Sequence, residues 1–352
     1  MKFGTIRLGA REISSACPPF IVAELSGNHN GSLERARRII DAAIDAGADA
    51  IKLQTYTADT LTLDLDAPQF RVSAPESPWT GRTLHELYRE AHTPWEWHAE
   101  LFDRCRRRGA PCFSSPFDAS AVAFLEELEC PAYKIASFEI VDLELVAAAA
   151  ATGKPLILST GLATLEEIAD AVNAARDAGC RSLAILKCTS SYPADPADSH
   201  LRTIPHLREK FGCEVGLSDH TPGIGAAVAA VAFGAAIIEK HVTLSRADGG
   251  VDAAFSLEPA ELGLLRIETD RAWRALGRIV EGPTAAETAS RIFRRSLYVV
   301  EDLAAGTVLT RENVRSIRPG HGLAPKHLKA VLGRTANRAV RRGTPLSWDL
   351  LE

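Results

Sequence analysis

Short apolar runs that follow a Gly or Pro turn and stop on polar or charged residues recur along the chain. Phe20 to Glu24 comes first, then Ala48 to Gln54, Ala110 to Ser115, Ala132 to Ser137, Pro155 to Thr160, Leu183 to Thr189, Glu214 to His220 and Ala235 to His241. Segments with helical periodicity lie between them. After the loop Ser26 to Gly31, Ser32 caps a helix in which Leu33, Ala36, Ile39, Ile40 and Ala43 share a face, and Gly47 ends it. The same logic predicts helices near 94–108, 118–129, 142–151, 164–178, 198–211, 222–233 and 258–276. Strand, polar loop and helix, repeated eight times, predicts an α/β fold, a (β/α)8 TIM barrel with its chemistry at one rim. An open doubly wound sheet can be written from the same alternation, but no G-x-G-x-x-G turn follows the first strand.

Two stretches break the rhythm. Tyr56 to Glu90 is long for a barrel loop and holds Pro68, Pro75, Pro78 and Gly81, as lids and substrate walls do. After Gly277 the pattern becomes short-stranded. The expected division is a barrel over 1–277, a linker over 278–295 containing Glu281-Gly282-Pro283-Thr284, and a small second domain over 296–352. So short a domain has a marginal core of its own, and docking onto the barrel or onto a partner subunit would help it.

Composition narrows the class of function. The chain has 352 residues, 46% hydrophobic and 24% charged, with a net charge of −5 and acids and bases mixed throughout. That balance gives no long-range attraction to nucleic acid or to an anionic membrane, so small molecules are the expected partners. No apolar run approaches the roughly 20 residues of a membrane span, and Met1 to Arg11 does not read as a secretory signal. A cytoplasmic protein is expected. Seven cysteines without a C-x-x-C pair support neither a disulfide framework nor a zinc ribbon, and read as reduced, half-buried small residues. Arg104 and Arg106 to Arg108 at a helix end read as a solvated face, and Trp95 and Trp97 as packing.

The polar strand ends carry the candidate chemistry. A buried strand has no use for Glu24, Lys52, Lys134, His220, Glu239 or His241 unless they line a working cavity, because each costs desolvation energy. His220 and His241 end consecutive strands about 4.8 Å apart, so their imidazoles could meet on one divalent cation and leave positions for water and a substrate oxygen. Two hydrogen-bonded loop histidines are the other reading of this pair. Period-2 alternation puts Glu239 with His241 and Ser218 with His220. Lys52 and Lys134, with Ser115, Ser137, Ser190 and Ser218, could cage a phosphate and a carboxylate, although each lysine alone could snorkel and each serine merely form a turn. Gln54 shares the face of Lys52 and could read a sugar hydroxyl. Cys188 lies at the rim with no base assigned to it.

Several strings together resemble the sialic acid synthase family. They are Ala23 to Asn30, Lys52 to Tyr56, Phe113 to Phe117, Tyr133 to Glu139, Gly216 to Thr221 and Glu239-Lys240-His241. The resemblance runs over the whole chain, and Arg318-Pro319-Gly320 with Gly322-Leu323 is similar to that family's antifreeze-like (SAF) domain. Gln54 to Thr57, Thr93 to His98, Ser137 to Glu139, Lys187 to Pro193 and Gly320 to Lys326 are most similar to its pseudaminic acid synthase subgroup.

The resemblance implies condensation of phosphoenolpyruvate with an open-chain amino-sugar aldehyde, giving a nine-carbon 2-keto acid and phosphate. It implies that His220 and His241 hold a divalent metal (Mn2+, Mg2+ or Co2+), and that Lys52, Ser115, Lys134, Ser137, Ser190 and Ser218 bind phosphoenolpyruvate. Glu24, Gln54, Glu139, Tyr192, Glu239, Asp252 and Arg318 would surround the sugar and the reacting centre, with Glu24 and Glu239 catalytic beside the histidines. Ser115 and Ser190 stand where some sialic acid synthases carry Thr and Asn. A homodimer is implied in which the small domain of one subunit covers the barrel mouth of the other. Synthases of N-acetylneuraminate or legionaminate are the alternatives within the class. A non-catalytic carbohydrate- or ice-binding protein is the alternative outside it, and the intact set of rim residues argues against that.

Overall fold

A computed structural model describes residues 3–73 and 79–352 of the chain, so Pro75 and Pro78 of the long connection lie outside the described residues. Eight parallel strands close on themselves: β3 (Phe20–Glu24), β4 (Ala50–Thr55), β5 (Cys112–Pro116), β6 (Tyr133–Ile135), β7 (Leu156–Ser159), β8 (Leu183–Cys188), β9 (Glu214–Asp219) and β10 (Ile237–His241). Each pairs with the next, and β10 pairs with β3. The expected (β/α)8 barrel is present. It is preceded by an antiparallel hairpin of β1 (Ile6–Leu8) and β2 (Arg11–Ile13), which the apolar pattern did not predict. Three residues per strand are too few to show a period, and the turn needs Gly9 at φ +57°.

Local signals set the helix starts. Ser32, Asp118 and Asp142 accept the backbone N–H three residues on, and Thr83 with Glu86 and Thr164 with Glu167 form reciprocal capping boxes. The helices Leu33–Asp45, Trp95–Arg107, Ala119–Glu127, Leu143–Ala151, Leu165–Asp177, Gly225–Ala232 and Pro259–Leu276 fall within the predicted ranges. The predicted helix 198–211 is in fact two pieces. A 3-10 turn, Pro196–Ser199, is cut from the helix Thr203–Phe211 by His200 at φ +42°, a conformation that cannot propagate a right-handed helix. The Tyr56 to Glu90 connection also contains structure of its own, the helices Ala58–Leu61 and Leu84–Ala91.

One apolar core, including Ile21, Ile51, Phe113, Ile135, Leu158, Ile185 and Ile238, lies between the barrel and its helices. Six of the seven cysteines are buried in it or beside it, deeper than the half-burial expected, and all seven are free. Trp95 stacks on Phe124, and Trp97 meets His29 edge to face. Among the described residues no helix is long and apolar enough to cross a membrane.

Two compact units divide at Met1–Gly277 and Arg278–Glu352. In the second, β11 (Ser296–Val299) pairs antiparallel with β12 (Val314–Ile317). Leu297, Val299, Leu309, Val314, Val331 and Leu346 form its own small core. Residues 278–295, read from sequence as linker, group with this unit and contain the 3-10 turns Ala285–Glu287 and Ala289–Phe293.

Candidate active site

Four charged side chains from four strands meet inside the barrel. Glu24 ends β3, Lys52 lies on β4, Lys134 on β6 and Glu239 on β10, and none is more than 3% exposed. Lys52 forms an ion pair with Glu24 and lies 3.5 Å from Glu239, whose Oε1 also accepts from Lys134 Nζ and Ser218 Oγ, both at 3.1 Å. Lys52 Nζ donates to Ser115 Oγ at 3.4 Å. The strand register accounts for these meetings, since Glu24 is paired with Lys52, Glu239 with Ser218, and Gln54 with Ser115. Removing four charges from water costs several kcal/mol per ion, so fold stability gives no reason to keep them.

Their proton affinities differ. Burial raises Glu239, but Lys134 and Lys52 outweigh it and hold the carboxyl at about 2. Burial raises Glu24, and the charge on Glu239 adds to it, so Glu24 is the more easily protonated of the two. Burial lowers Lys134 below its ordinary range. Glu239 Oε2 has no hydrogen-bond partner although it is buried. The cluster is therefore poised for a further ligand.

Beside it, the His220 and His241 rings lie 5.3 Å apart at 64°. His220 Nδ1 is 2.9 Å from the Thr189 carbonyl, which can only accept, so Nδ1 carries the proton and Nε2 keeps its lone pair. Burial, reinforced by His220, Lys52 and Lys134, pushes His241 well below its usual range, and its buried Nδ1 has no hydrogen-bond partner. A neutral imidazole with a vacant nitrogen, and a second whose tautomer is fixed by a carbonyl, suit a divalent cation. His220 itself titrates above its ordinary value: burial lowers it, but Cys188, with Sγ 3.9 Å from Nδ1, more than offsets this. A cation would compete there with a proton. Among the described residues no group of three or more His, Cys, Asp or Glu has metal-binding geometry, so two histidines would leave the remaining positions to water and substrate.

Loops finish the wall. Asp252 Oδ2 lies 3.6 Å from His241 Nδ1 and accepts a hydrogen bond from Ser26 Oγ. Ser26, at φ +49°, is held in that strained conformation by its backbone N–H, which donates to Glu24 Oε1 at 3.1 Å. Tyr192 packs on His220 with ring centroids 4.5 Å apart, and Phe255 contacts Tyr192 and both histidine rings. Trp79, from the long connection, reaches Tyr192 and donates Nε1–H to Val251 O. Ser137 and Ser190 converge on Gly161, where an added Cβ would overlap Ser190 Oγ and approach Ser137 Oγ to 2.8 Å. Glu139 is pushed up to about 7 by burial, and its Oε2 has no partner.

Of the residues singled out from sequence, Glu24, Lys52, Ser115, Lys134, Ser218 and Glu239 form one connected network, and His220, His241, Tyr192 and Asp252 form another. Ser137 and Ser190 sit together at Gly161. Gln54 is half-buried on the strand of Lys52. Arg318 is exposed, just beyond β12 in the second unit. Sequence reasoning missed Ser26, Gly161, Phe255 and the buried pair Asp219 and Lys240. Gly161 carried a usable signal, because it follows a polar strand end, Ser159-Thr160. Phe255 carried none.

The NeuB family profile matches residues 39–281, and the SAF domain profile matches residues 294–352. A pseudaminic acid synthase from Helicobacter pylori is 43% identical over 339 residues, covering 95% of this chain and 98% of the relative. An N,N'-diacetyllegionaminic acid synthase from Legionella pneumophila is 34% identical, covering 98% of each. The crystal structure of an N-acetylneuraminic acid (sialic acid) synthetase from Leptospira borgpetersenii, in complex with citrate, superposes with a TM-score of 0.72 at 35% identity. That superposition covers 82% of this chain and 95% of the other.

Proposed function

The chain belongs to the NeuB family, and from this premise we propose that it acts as a pseudaminic acid synthase. It condenses phosphoenolpyruvate with a 2,4-diacetamido-2,4,6-trideoxyhexose of the 6-deoxy-altrose type and releases phosphate. The observation that carries this reading is the 43% identity to a pseudaminic acid synthase over 95% of the chain, against 34% and 35% for the legionaminic and sialic acid relatives.

The residues supply a consistent course. Lys52 and Lys134 hold the phosphate and carboxylate of phosphoenolpyruvate, exchanging their carboxylate partners for the incoming anion, while Ser115, Ser218, Ser137 and Ser190 donate from the sides. His220 and His241 would hold a divalent cation, which when bound would supply Lewis acidity at the sugar aldehyde. C3 of phosphoenolpyruvate forms a bond to the aldehyde carbon, and Glu24, favoured as the neutral acid, protonates the oxygen. Water adds to C2, with Glu239 taking its proton. The C2–O bond then breaks and phosphate leaves, giving the keto acid. Gln54, Glu139, Tyr192 and Asp252 orient the sugar, and the aromatic wall of Tyr192 and Phe255 limits water near the reacting carbons.

The enzyme works as a homodimer in which the partner subunit's Arg318 completes the sugar site. Exposed Phe138, Val141, Leu143, Leu162 and Leu165 follow β6 and β7 and support a covered rim. Competition between sugar aldehydes for a fixed phosphoenolpyruvate pool tests the substrate. A pocket built for a 6-methyl group leaves the mannosamine hydroxyl poorly bonded, at a cost of about 1–3 kcal/mol. A higher kcat/KM with N-acetylmannosamine would reject the subgroup assignment.

A further inference from the structure

We infer that Lys240 and Asp219, a buried ion pair outside the barrel interior, are positioning residues that set the spacing of His220 and His241. The inference rests on the reading of those histidines as metal ligands. Lys240 and Asp219 are register partners on β10 and β9, each one residue before a histidine. Alternation along the strands turns them away from Glu239 and Ser218, which face the lysines of the interior. Lys240 Nζ donates to Asp219 Oδ2 at 3.1 Å and to Thr221 O at 2.6 Å, while Asp219 Oδ1 accepts from Thr221 N at 2.9 Å. The side chains are 0% and 2% exposed.

Three hydrogen bonds thus tie the end of β10 to the end of β9 and to the first residue of the following turn. His220 lies inside this loop of bonds and His241 lies one residue beyond it. Neither charged group reaches the interior, so neither can touch substrate. A fully buried ion pair is commonly no more stabilising than an apolar pair of like volume, which leaves geometry as the property it contributes. Metal ligation tolerates only a few tenths of an ångström, and loss of groups that orient a ligand typically weakens metal binding 10- to 100-fold.

The test compares Mn2+ binding, read from the EPR signal of free Mn2+, in wild type, His220→Ala and the double variant Asp219→Asn, Lys240→Met. The double variant removes both charges and the cross-strand bond but keeps an acceptor for Thr221 N–H. Mn2+ binding is expected to weaken at least tenfold, with the EDTA-treated protein melting close to wild type. Binding within twofold of wild type would overturn the inference. If the double variant does not fold, Asp219→Asn with Lys240→Gln, which also leaves no unpaired buried charge, carries the test, with a three- to tenfold weakening expected and no change refuting it. If His220→Ala itself binds Mn2+ like the wild type, the metal reading falls and the positioning role with it. If only His220→Ala weakens binding, the positioning role alone is rejected.

Discussion

Gly161→Ala separates the anion-binding role of Ser137 and Ser190 from any role in stability. Gly161 is absent from the positive-φ glycines, so alanine introduces no backbone strain. Its methyl would overlap Ser190 Oγ and lie 2.8 Å from Ser137 Oγ and 3.1 Å from Ser137 Cβ. Ser190 Oγ can turn away freely, whereas Ser137 Oγ accepts from Gly161 N–H at 3.0 Å, so relief displaces both donors from the site at the cost of one buried hydrogen bond, about 1 kcal/mol. A hydrogen bond to a charged ligand contributes about 1.5–3 kcal/mol, and losing one lowers kcat/KM for phosphoenolpyruvate about 10- to 150-fold. The melting temperature should move by only a few degrees, because a Gly→Ala change at an unstrained site restricts the unfolded chain in the opposite sense. The assay is steady-state phosphate release, with phosphoenolpyruvate varied at saturating sugar and then the reverse. The effect should fall on phosphoenolpyruvate, and Ser137→Ala should reproduce part of it. An unchanged kcat/KM for phosphoenolpyruvate, with the alanine methyl in place, would refute the reasoning.

Other consequences are as direct. Chelation should abolish turnover and added Mn2+, Mg2+ or Co2+ restore it, and full activity in excess EDTA would remove the metal from the account. Glu139, held at about 7 by burial, is neutral below that pH and ionised above it, so it accepts sugar N–H and O–H groups better as pH rises. The kcat/KM for sugar should rise through that pH, and Glu139→Gln should flatten the profile. The same group binds its proton more tightly folded than unfolded, so its contribution to stability declines from the ordinary carboxylate range up to about pH 7. Mixing inactive Arg318→Ala with inactive His220→Ala should restore some turnover after subunit exchange, because one barrel then has its histidine and an intact arginine from its partner. No recovery in demonstrably mixed dimers would place the arginine in its own subunit's site.

Much of the site was legible because the barrel puts polar residues where an apolar strand ends. Lys52, Lys134, Glu239 and the two histidines stand out against Ile51, Ile135 and Ile238, and alternation placed Glu239 on the face of His241 and Ser218 on the face of His220, while their own hydrogen bond came only from the structure. Contacts that cross loops left no such trace. Ser26 and Asp252 meet although 226 residues separate them, and no period relates one to the other. The outward pair Asp219 and Lys240 was hidden by the same alternation that revealed its neighbours, since attention to the inner face passes over alternate residues. The break at His200 was illegible for a different reason, because the apolar spacing of the segment persists while its backbone does not.

The central claim is a condensation in which phosphate leaves by cleavage of the carbon–oxygen bond. Phosphoenolpyruvate labelled with 18O at its bridging oxygen, incubated with the 2,4-diacetamido-2,4,6-trideoxyhexose and Mn2+, tests it in one measurement by mass spectrometry. The account predicts one phosphate released per nine-carbon keto acid formed, with the bridging label in the phosphate. Label retained in the keto acid, or phosphate released at the same rate without sugar, would contradict it.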